Sequence, residues 1–114
     1  MDRMIDTIVA QSTARGPGAV ALVRLSGPGA RAVLRGLLRG DTPLPDHRRA
    51  TLLRLTGPGG ALLDRALVTV FLGPASYTGE DVVEISCHGG PLVPGRIEAA
   101  CRALGARPAD PGEF

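Results

Sequence analysis

Residues 74–90, PASYTGEDVVEISCHGG, bring together one Tyr, three carboxylates, one Cys and one His, which could bind a ligand or transfer protons. If the second half of this stretch is a strand, its side chains alternate between an apolar face and a polar face. The polar face would carry Glu84, Ser86 and His88, and the apolar face Val83, Ile85 and Cys87. A polar row on a strand is either a solvated surface or part of a binding site. For Ser86 and His88 the solvated surface is the favoured interpretation.

Glu84 differs from its polar neighbours because Val82 and the apolar strands around it would shelter its carboxylate, and a sheltered carboxylate needs hydrogen-bond donors. Arg24 poses the complementary question, since it is the single charged residue in AVALVRLS, residues 19–26. Such an Arg lies at a sheet edge, pairs with a carboxylate such as Glu84, or contacts a ligand. The residues alone leave these roles open.

The two cysteines, Cys87 and Cys101, have neither the number nor the spacing of a disulfide framework or a zinc site. Cys87 and His88 would point to opposite faces of a strand, so they cannot form a nucleophile pair there. We therefore expect buried thiols in a reducing compartment, and no metal site.

The N-terminus carries Asp2 and Asp6 where a signal peptide needs an apolar segment. A soluble cytoplasmic protein without a membrane segment is the prediction.

Composition limits the function classes further. A chain of 114 residues with 44% hydrophobic content fits one domain. All 13 basic residues are Arg, so the chain contains no lysine-dependent phosphate loop and no Schiff-base lysine. The net charge of +2 and the three aromatic residues, Phe71, Tyr77 and Phe114, argue against a dedicated RNA-reading protein.

The elements that must position these residues are separated by Gly-Pro turns. Apolar runs predict strands at 6–12, 19–26, 50–56, 65–72 and 81–88. Apolar residues at helical spacing predict one helix after Pro28, over about 30–38, and a second over 93–104 that ends at Gly105. The order β-β-α-β-β-β-α indicates an α+β fold, an antiparallel or mixed sheet with two helices on one face. The strand 19–26 should be central, and the end, RPADPGEF, should be irregular.

Three segments resemble the N-terminal domain of the tRNA-modification GTPases MnmE, also called TrmE. They are DTIVAQSTARGPGAVALVRLSGPGA (6–30), PASYTGEDVVEISCHGG (74–90) and RPADPGEF (107–114), and the likeness covers nearly the whole chain. The resemblance implies a folate-binding fold related to aminomethyltransferases. It also implies a homodimer that binds 5-formyl-tetrahydrofolate, the one-carbon donor for modifying the wobble uridine (U34) of certain tRNAs.

The resemblance assigns folate contacts to Arg24 and Glu84, and no catalytic residue. Residues 74–90 would form one wall of a pterin pocket, with Gly-rich turns that let the backbone approach the ligand. The chemical types agree: a carboxylate accepts the adjacent N–H groups of a pterin, and a guanidinium suits a carbonyl, a formyl oxygen or a tail carboxylate.

Other parts of the family's pattern do not occur in this chain: the GTPase domain, the helical domain and the C-terminal Cys motif. Residues 1–114 are therefore expected to form a single folate-binding and dimerisation domain without catalytic activity of its own. GTP, Mg²⁺ and K⁺ would bind only in the family's GTPase domain. tRNA and the FAD-containing MnmG-type partner would be engaged through the full-length protein.

Two alternatives from other classes remain at this point. A fragment of a folate-dependent aminomethyltransferase predicts a second, similar half, and this chain contains no internal repeat. A small nucleic-acid-binding adaptor predicts RNA affinity that falls steeply with salt and does not require folate.

Overall fold

A computed structural model describes residues 6–11, 20–76 and 78–114, so Tyr77 lies outside the described residues. The described elements are β1 Ile8–Gln11, β2 Val20–Ser26, α1 Ala30–Gly36, β3 Thr51–Thr56, β4 Leu62–Phe71, β5 Val82–His88, α2 Val93–Ala103 and β6 Arg107–Pro108. The predicted α+β architecture is confirmed. Neither α1 nor α2 is long and apolar enough to span a bilayer, and the same holds for every helix in the described part of the chain.

The strands form one mixed sheet in the order β3-β4-β5-β2-β1-β6. All neighbouring pairs are antiparallel except β1 with β6, which is parallel. β2 lies between β5 and β1, so the prediction of a central strand at 19–26 is confirmed. This position also excludes one interpretation of Arg24, which is not a sheet-edge residue.

The expectation of an irregular C-terminal segment was wrong at its beginning, because Arg107–Pro108 forms β6 beside β1. The Arg107 N–H donates to the carbonyl of Thr7, and the Ala109 N–H donates to the carbonyl of Val9, both at 2.9 Å. A two-residue strand that contains a proline shows no alternation in the sequence. It forms because the free edge of β1 offers carbonyls to which a passing chain can donate.

Both helices cover the same face of the sheet. The apolar side chains of the helices and of the strands form one core. Leu34 and Ile97 from the helices and Leu25 and Ile85 from the strands are each fully buried. Cys87 and Cys101 also lie in this core and form no disulfide. Burial raises the pKa of Cys87 to about 11 and that of Cys101 to about 12, so both thiols stay protonated near neutral pH. The prediction of buried core thiols is confirmed.

The opposite face of the sheet, here called the open face, faces away from both helices. It carries the other set of alternating side chains, including Leu22 and Arg24 on β2, Glu84 and Ser86 on β5, and Leu67 on β4. The open face contains both charged and apolar side chains. Every predicted site residue on a strand projects from this face.

Candidate ligand-binding site

Arg24 and Glu84 form an ion pair on the open face. They are directly opposite each other in the antiparallel register of β2 and β5, which places their side chains side by side. Nε of Arg24 donates to Oε2 of Glu84 at 3.0 Å, and the side chains are 30% and 22% exposed. Of the three roles left open for Arg24, the structure shows the pair with a carboxylate. Contact with a ligand stays a prediction.

Small side chains flank this pair along the same row of the sheet. Ala10 of β1 is opposite Arg24, and Thr69 of β4 is opposite Glu84. Because the methyl group of Ala10 and the short side chain of Thr69 rise little above the sheet, the charged pair forms part of a shallow floor. A ligand could approach the pair from the open face.

Two clefts adjoin this region, separated by the C-terminal segment. The first has a volume of about 440 Å³ and is lined by residues 9–11 of β1, Arg24 of β2, Glu98 of α2 and residues 108–114. The second, of about 370 Å³, is lined by Asp6, Ile8, Ser26, Thr78, Glu80, Glu113 and Phe114. Glu113 and Phe114 line both clefts. Glu84 lines neither cleft and reaches the first one only through its bond to Arg24.

The C-terminal segment is held in place by Arg107, whose guanidinium bridges two carboxylates. Its Nε and Nη2 donate to the two oxygens of Asp6 at 2.7 and 2.9 Å. Its Nη1 donates to Glu113 at 2.9 Å, and Nη2 contacts the second oxygen of Glu113. Bonds to Asp6 and Glu113 raise the pKa of Arg107, and the bond from Arg107 lowers the pKa of Glu113. No pattern in the sequence predicted this bridge.

The first half of the polar stretch forms a loop rather than a strand. In this loop Thr78 accepts a hydrogen bond from the hydroxyl of Ser26 at 2.9 Å. Asp81 accepts bonds from Arg31 at 3.2 Å and from the Gly73 N–H at 2.9 Å. The carboxylate of Asp81 therefore anchors the loop to α1, and Thr78 ties it to the end of β2. The cluster noted in the sequence separates into a structural loop and the strand that carries Glu84.

His88 is held by Asp64, away from the Arg24–Glu84 pair. The His88 N–H donates to one oxygen of Asp64 at 2.8 Å, and Nδ1 of the ring lies 2.8 Å from the other. Burial alone would raise the pKa of Asp64, but hydrogen bonds from His88 and from the Arg65 backbone lower it overall. The solvated interpretation of His88 fits its ring, which is 73% exposed. It did not anticipate the carboxylate partner.

The arrangement as a whole is suited to binding. A half-sheltered guanidinium and carboxylate present donors and acceptors side by side at the edge of a cleft, which matches a ligand with adjacent N–H and C=O groups. Within residues 6–11, 20–76 and 78–114, no three His, Cys, Asp or Glu side chains converge as a possible metal site.

Comparison with known proteins gives one consistent result. The family model described as "GTP-binding protein TrmE N-terminus" matches residues 7–114. The tRNA modification GTPase MnmE of Akkermansia muciniphila is 51% identical over 109 residues, 95% of this chain and 24% of that protein. Those of Phenylobacterium zucineum and Halorhodospira halophila are 50% and 52% identical, over 97% and 96% of this chain and 24% and 23% of theirs.

The chain thus spans about a quarter of the length of these relatives. The family match covers residues 7–114, a range that includes the strands that carry Arg24 and Glu84 and the segment that ends at Phe114. The resemblance noted in the sequence is confirmed. This chain belongs to the family of TrmE N-terminal domains.

Proposed function

We propose that residues 1–114 form a folate-binding and dimerisation domain that holds 5-formyl-tetrahydrofolate beside Arg24 and Glu84. The larger protein is proposed to act as a GTPase in modifying the wobble uridine of tRNAs. The tRNA and GTPase parts of this proposal are supported by the names of the relatives, which are tRNA modification GTPases. In that protein GTP, Mg²⁺ and K⁺ bind to a separate domain. tRNA and an FAD-containing partner enzyme bind to the full-length protein.

The observation that carries the folate proposal is the Arg24–Glu84 pair at 3.0 Å beside a cleft of about 440 Å³. Small-molecule sites have volumes of about 300–1,000 Å³, and their few polar groups fix the orientation of the ligand. A pterin offers an amino group and a ring N–H to a carboxylate, and carbonyl or formyl oxygens to a guanidinium. The pair is sheltered enough to strengthen such bonds and exposed enough to be reached.

Dimerisation is supported by an apolar patch on the open face. Val20, Leu52 and Leu67 are 64%, 61% and 49% exposed, and Leu52 is directly opposite Leu67 in the register of β3 and β4. Single exposed apolar residues are common on monomers, whereas neighbouring ones mark interaction surfaces. A second copy of the chain is the proposed occupant, because two such patches can cover each other around a two-fold axis.

The two alternatives have less support. The relatives reported above carry the name of a tRNA modification GTPase rather than of an aminomethyltransferase. A simple RNA adaptor would not need a carboxylate beside the guanidinium, because a carboxylate repels the phosphates that dominate RNA affinity.

Calorimetric titration of the chain with 5-formyl-tetrahydrofolate tests the proposal. Arg24→Ala and Glu84→Ala should each weaken binding by about 2 kcal/mol, roughly thirtyfold, because each removes a charge-assisted contact. Arg39→Ala is the matched control: it also removes one guanidinium, and Arg39 is exposed and lines neither cleft. The control should bind folate like the wild type.

Melting curves of the same variants separate ligand binding from a purely structural role. If Arg24→Ala and Glu84→Ala melt far below the wild type while the folded fraction still binds folate normally, the pair is structural and the pocket assignment is wrong. A wild type that does not bind any reduced folate would overturn the proposal itself.

A further inference from the structure

We infer that Arg107 is a positioning residue of the folate site, which it serves by holding the tail, residues 109–114, as the wall between the two clefts. Arg107 lines neither cleft, whereas the tail lines the first along its whole length and reaches the second at Glu113 and Phe114. Its effect on a ligand must therefore pass through the tail. The inference rests on the proposed folate-binding function.

The bridge joins two parts of the chain that are far apart in sequence. Asp6 precedes β1, and its partner Arg107 is 101 residues further along. The guanidinium of Arg107 forms two contacts with Asp6 and two with Glu113. Its planar set of N–H donors is therefore used on two sides. This geometry fixes the direction of the tail as well as its distance from β1.

The tail has few other attachments to the sheet. Its first residue, Ala109, is tied to β1 by the bond from its N–H to the Val9 carbonyl. Beyond that point the bonds are local: the Asp110 N–H donates to Oε1 of Glu113 at 2.7 Å, and the Glu113 N–H donates to the Asp110 carbonyl at 3.0 Å. These bonds close a turn but do not attach it to the sheet. Within the described residues, Arg107 provides the side-chain anchor of that turn.

The tail presents Phe114 to both clefts, and this residue is 38% exposed. It is the aromatic residue among those that line the two clefts in the described part of the chain. A flat pterin or p-aminobenzoyl ring gains from an aromatic face or edge at 4.5–7 Å, about the reach of such contacts in proteins. If the turn rotates, the ring moves away from the cleft that Arg24 lines.

A competing interpretation is that the bridge serves only the stability of the domain. The side chains of Asp6 and Glu113 are 36% and 27% exposed, so water can solvate both carboxylates once the guanidinium is removed. Loss of the bridge should therefore change the melting temperature little. A positioning role predicts that ligand affinity falls while the fold persists.

The experiment compares Arg107→Gln with the wild type by calorimetric titration with 5-formyl-tetrahydrofolate. We expect about tenfold weaker binding to Arg107→Gln. Without the bridge the tail must become ordered when the ligand binds, and this ordering lowers the affinity. Asp6→Asn and Glu113→Gln should have the same effect. Glu113→Gln should add little to Arg107→Gln, since residues that act through one contact are not additive. Arg39→Gln is the matched control, because Arg39 is exposed, lies outside both clefts and loses the same charge in this substitution.

Hydrogen exchange provides a readout that does not depend on folate. The amides of Asp110 and Glu113 should lose protection in Arg107→Gln and regain part of it in Arg107→Lys, which can contact one carboxylate but not hold both. If Arg107→Gln does not fold, Arg107→Lys, which keeps the charge but cannot hold both carboxylates, decides the question. A wild type that binds no folate overturns both the proposed function and this inference. A wild type that binds, with bridge variants that bind equally well, overturns only the inference.

Discussion

Charged side chains in this domain are placed by partners that lie far away in sequence. Arg24 and Glu84 are 60 residues apart, yet the register of two central strands brings them to 3.0 Å. A charge in an apolar strand is tolerated because its partner arrives on the neighbouring strand at the same level. Such a pair remains available to a ligand only where the flanking side chains are short, as Ala10 and Thr69 are.

The sequence could reveal this pair but not the other three ion-pair clusters of the described residues, those of Asp81, Asp64 and Arg107. Alternation along 82–88 and the lone Arg in 19–26 limited Arg24 and Glu84 to a few possible roles, and one of these was correct. Asp64 and Asp6 carried no comparable signal, because each lies in a segment with other polar residues and its partner is chosen by the tertiary fold. The turn residues of RPADPGEF were visible, but the direction of the turn was not.

Asp64→Asn should make the domain less sensitive to acid. The folded-state pKa of Asp64 is lowered below the reference value of 3.8, so its contribution to stability is present above that value and is lost as the pH falls through the folded pKa. Near neutral pH we expect the variant to be less stable by about 1 kcal/mol, because the carboxylate bonds to His88 weaken. As the pH falls below this reference value and through the folded pKa of Asp64, the difference should shrink.

Urea unfolding at a series of pH values measures this difference. Asp41→Asn is the control, since Asp41 is exposed and lies outside the ion pairs of the described residues. A constant difference between wild type and Asp64→Asn at all pH values would show that the charge of Asp64 does not contribute, and that packing alone accounts for the loss.

At the scale of the elements, apolar patterning was sufficient where a strand is long and central. Each strand from β1 to β5 was predicted within a few residues of its observed bounds. β4 begins at Leu62 rather than at residue 65, because it continues a hairpin with β3 through an irregularity at Leu55 and Thr56. β6 was missed because its pairing depends on the free edge of β1. A short edge strand forms through hydrogen bonds to the neighbouring strand. Those bonds do not require any particular pattern of side chains in its sequence.

The connection from β2 to α1 depends on Gly27. Its φ of +140° is a conformation that side chains rarely adopt, and an added Cβ would lie 2.7 Å from both the Asp6 carbonyl oxygen and the Thr7 Cα. Gly27→Ala should therefore destabilise the domain by about 3 kcal/mol or more. Gly40→Ala is the matched control, because Gly40 also has a positive φ, +54°, but open space around it. The control should cost about 1 kcal/mol.

Urea titration of both variants gives the two values on the same scale. Equal, small losses would mean that β1 can shift away from the added methyl group. Since Asp6 adjoins Gly27 and also binds Arg107, such a shift would appear as lost amide protection in the tail. Gly27 therefore links the loop before α1 to the wall of the clefts.

At the scale of the whole molecule, the two faces of the sheet differ in the described part of the chain: one packs against the helices and the other is the open face. Both helices seal the first, and the second carries the candidate site together with the apolar patch of Val20, Leu52 and Leu67. The architecture and the location of Arg24 and Glu84 followed from the sequence. The clefts did not, because they are formed by the tail and the loop at 73–81, whose paths depend on single bonds such as Ser26 to Thr78.

If the apolar patch is the dimer surface, a charge at its centre should separate the copies. Leu67→Glu places a carboxylate opposite Leu52 on the open face. Near a two-fold axis the two introduced charges would face each other in a region that is shielded from water, so we expect dimer affinity to fall at least about tenfold. Sedimentation equilibrium over a range of concentrations measures the change, and the melting temperature checks that the variant is folded.

Leu92→Glu is the control for this substitution. Leu92 is 59% exposed, but it lies at the start of α2, where an acidic side chain is favourable to the helix. This variant should dimerise like the wild type. A wild type that stays monomeric at high concentration would contradict dimerisation by this domain. A Leu67→Glu variant that still dimerises normally would instead place the contact on another surface, since a buried pair of like charges could not persist at the interface.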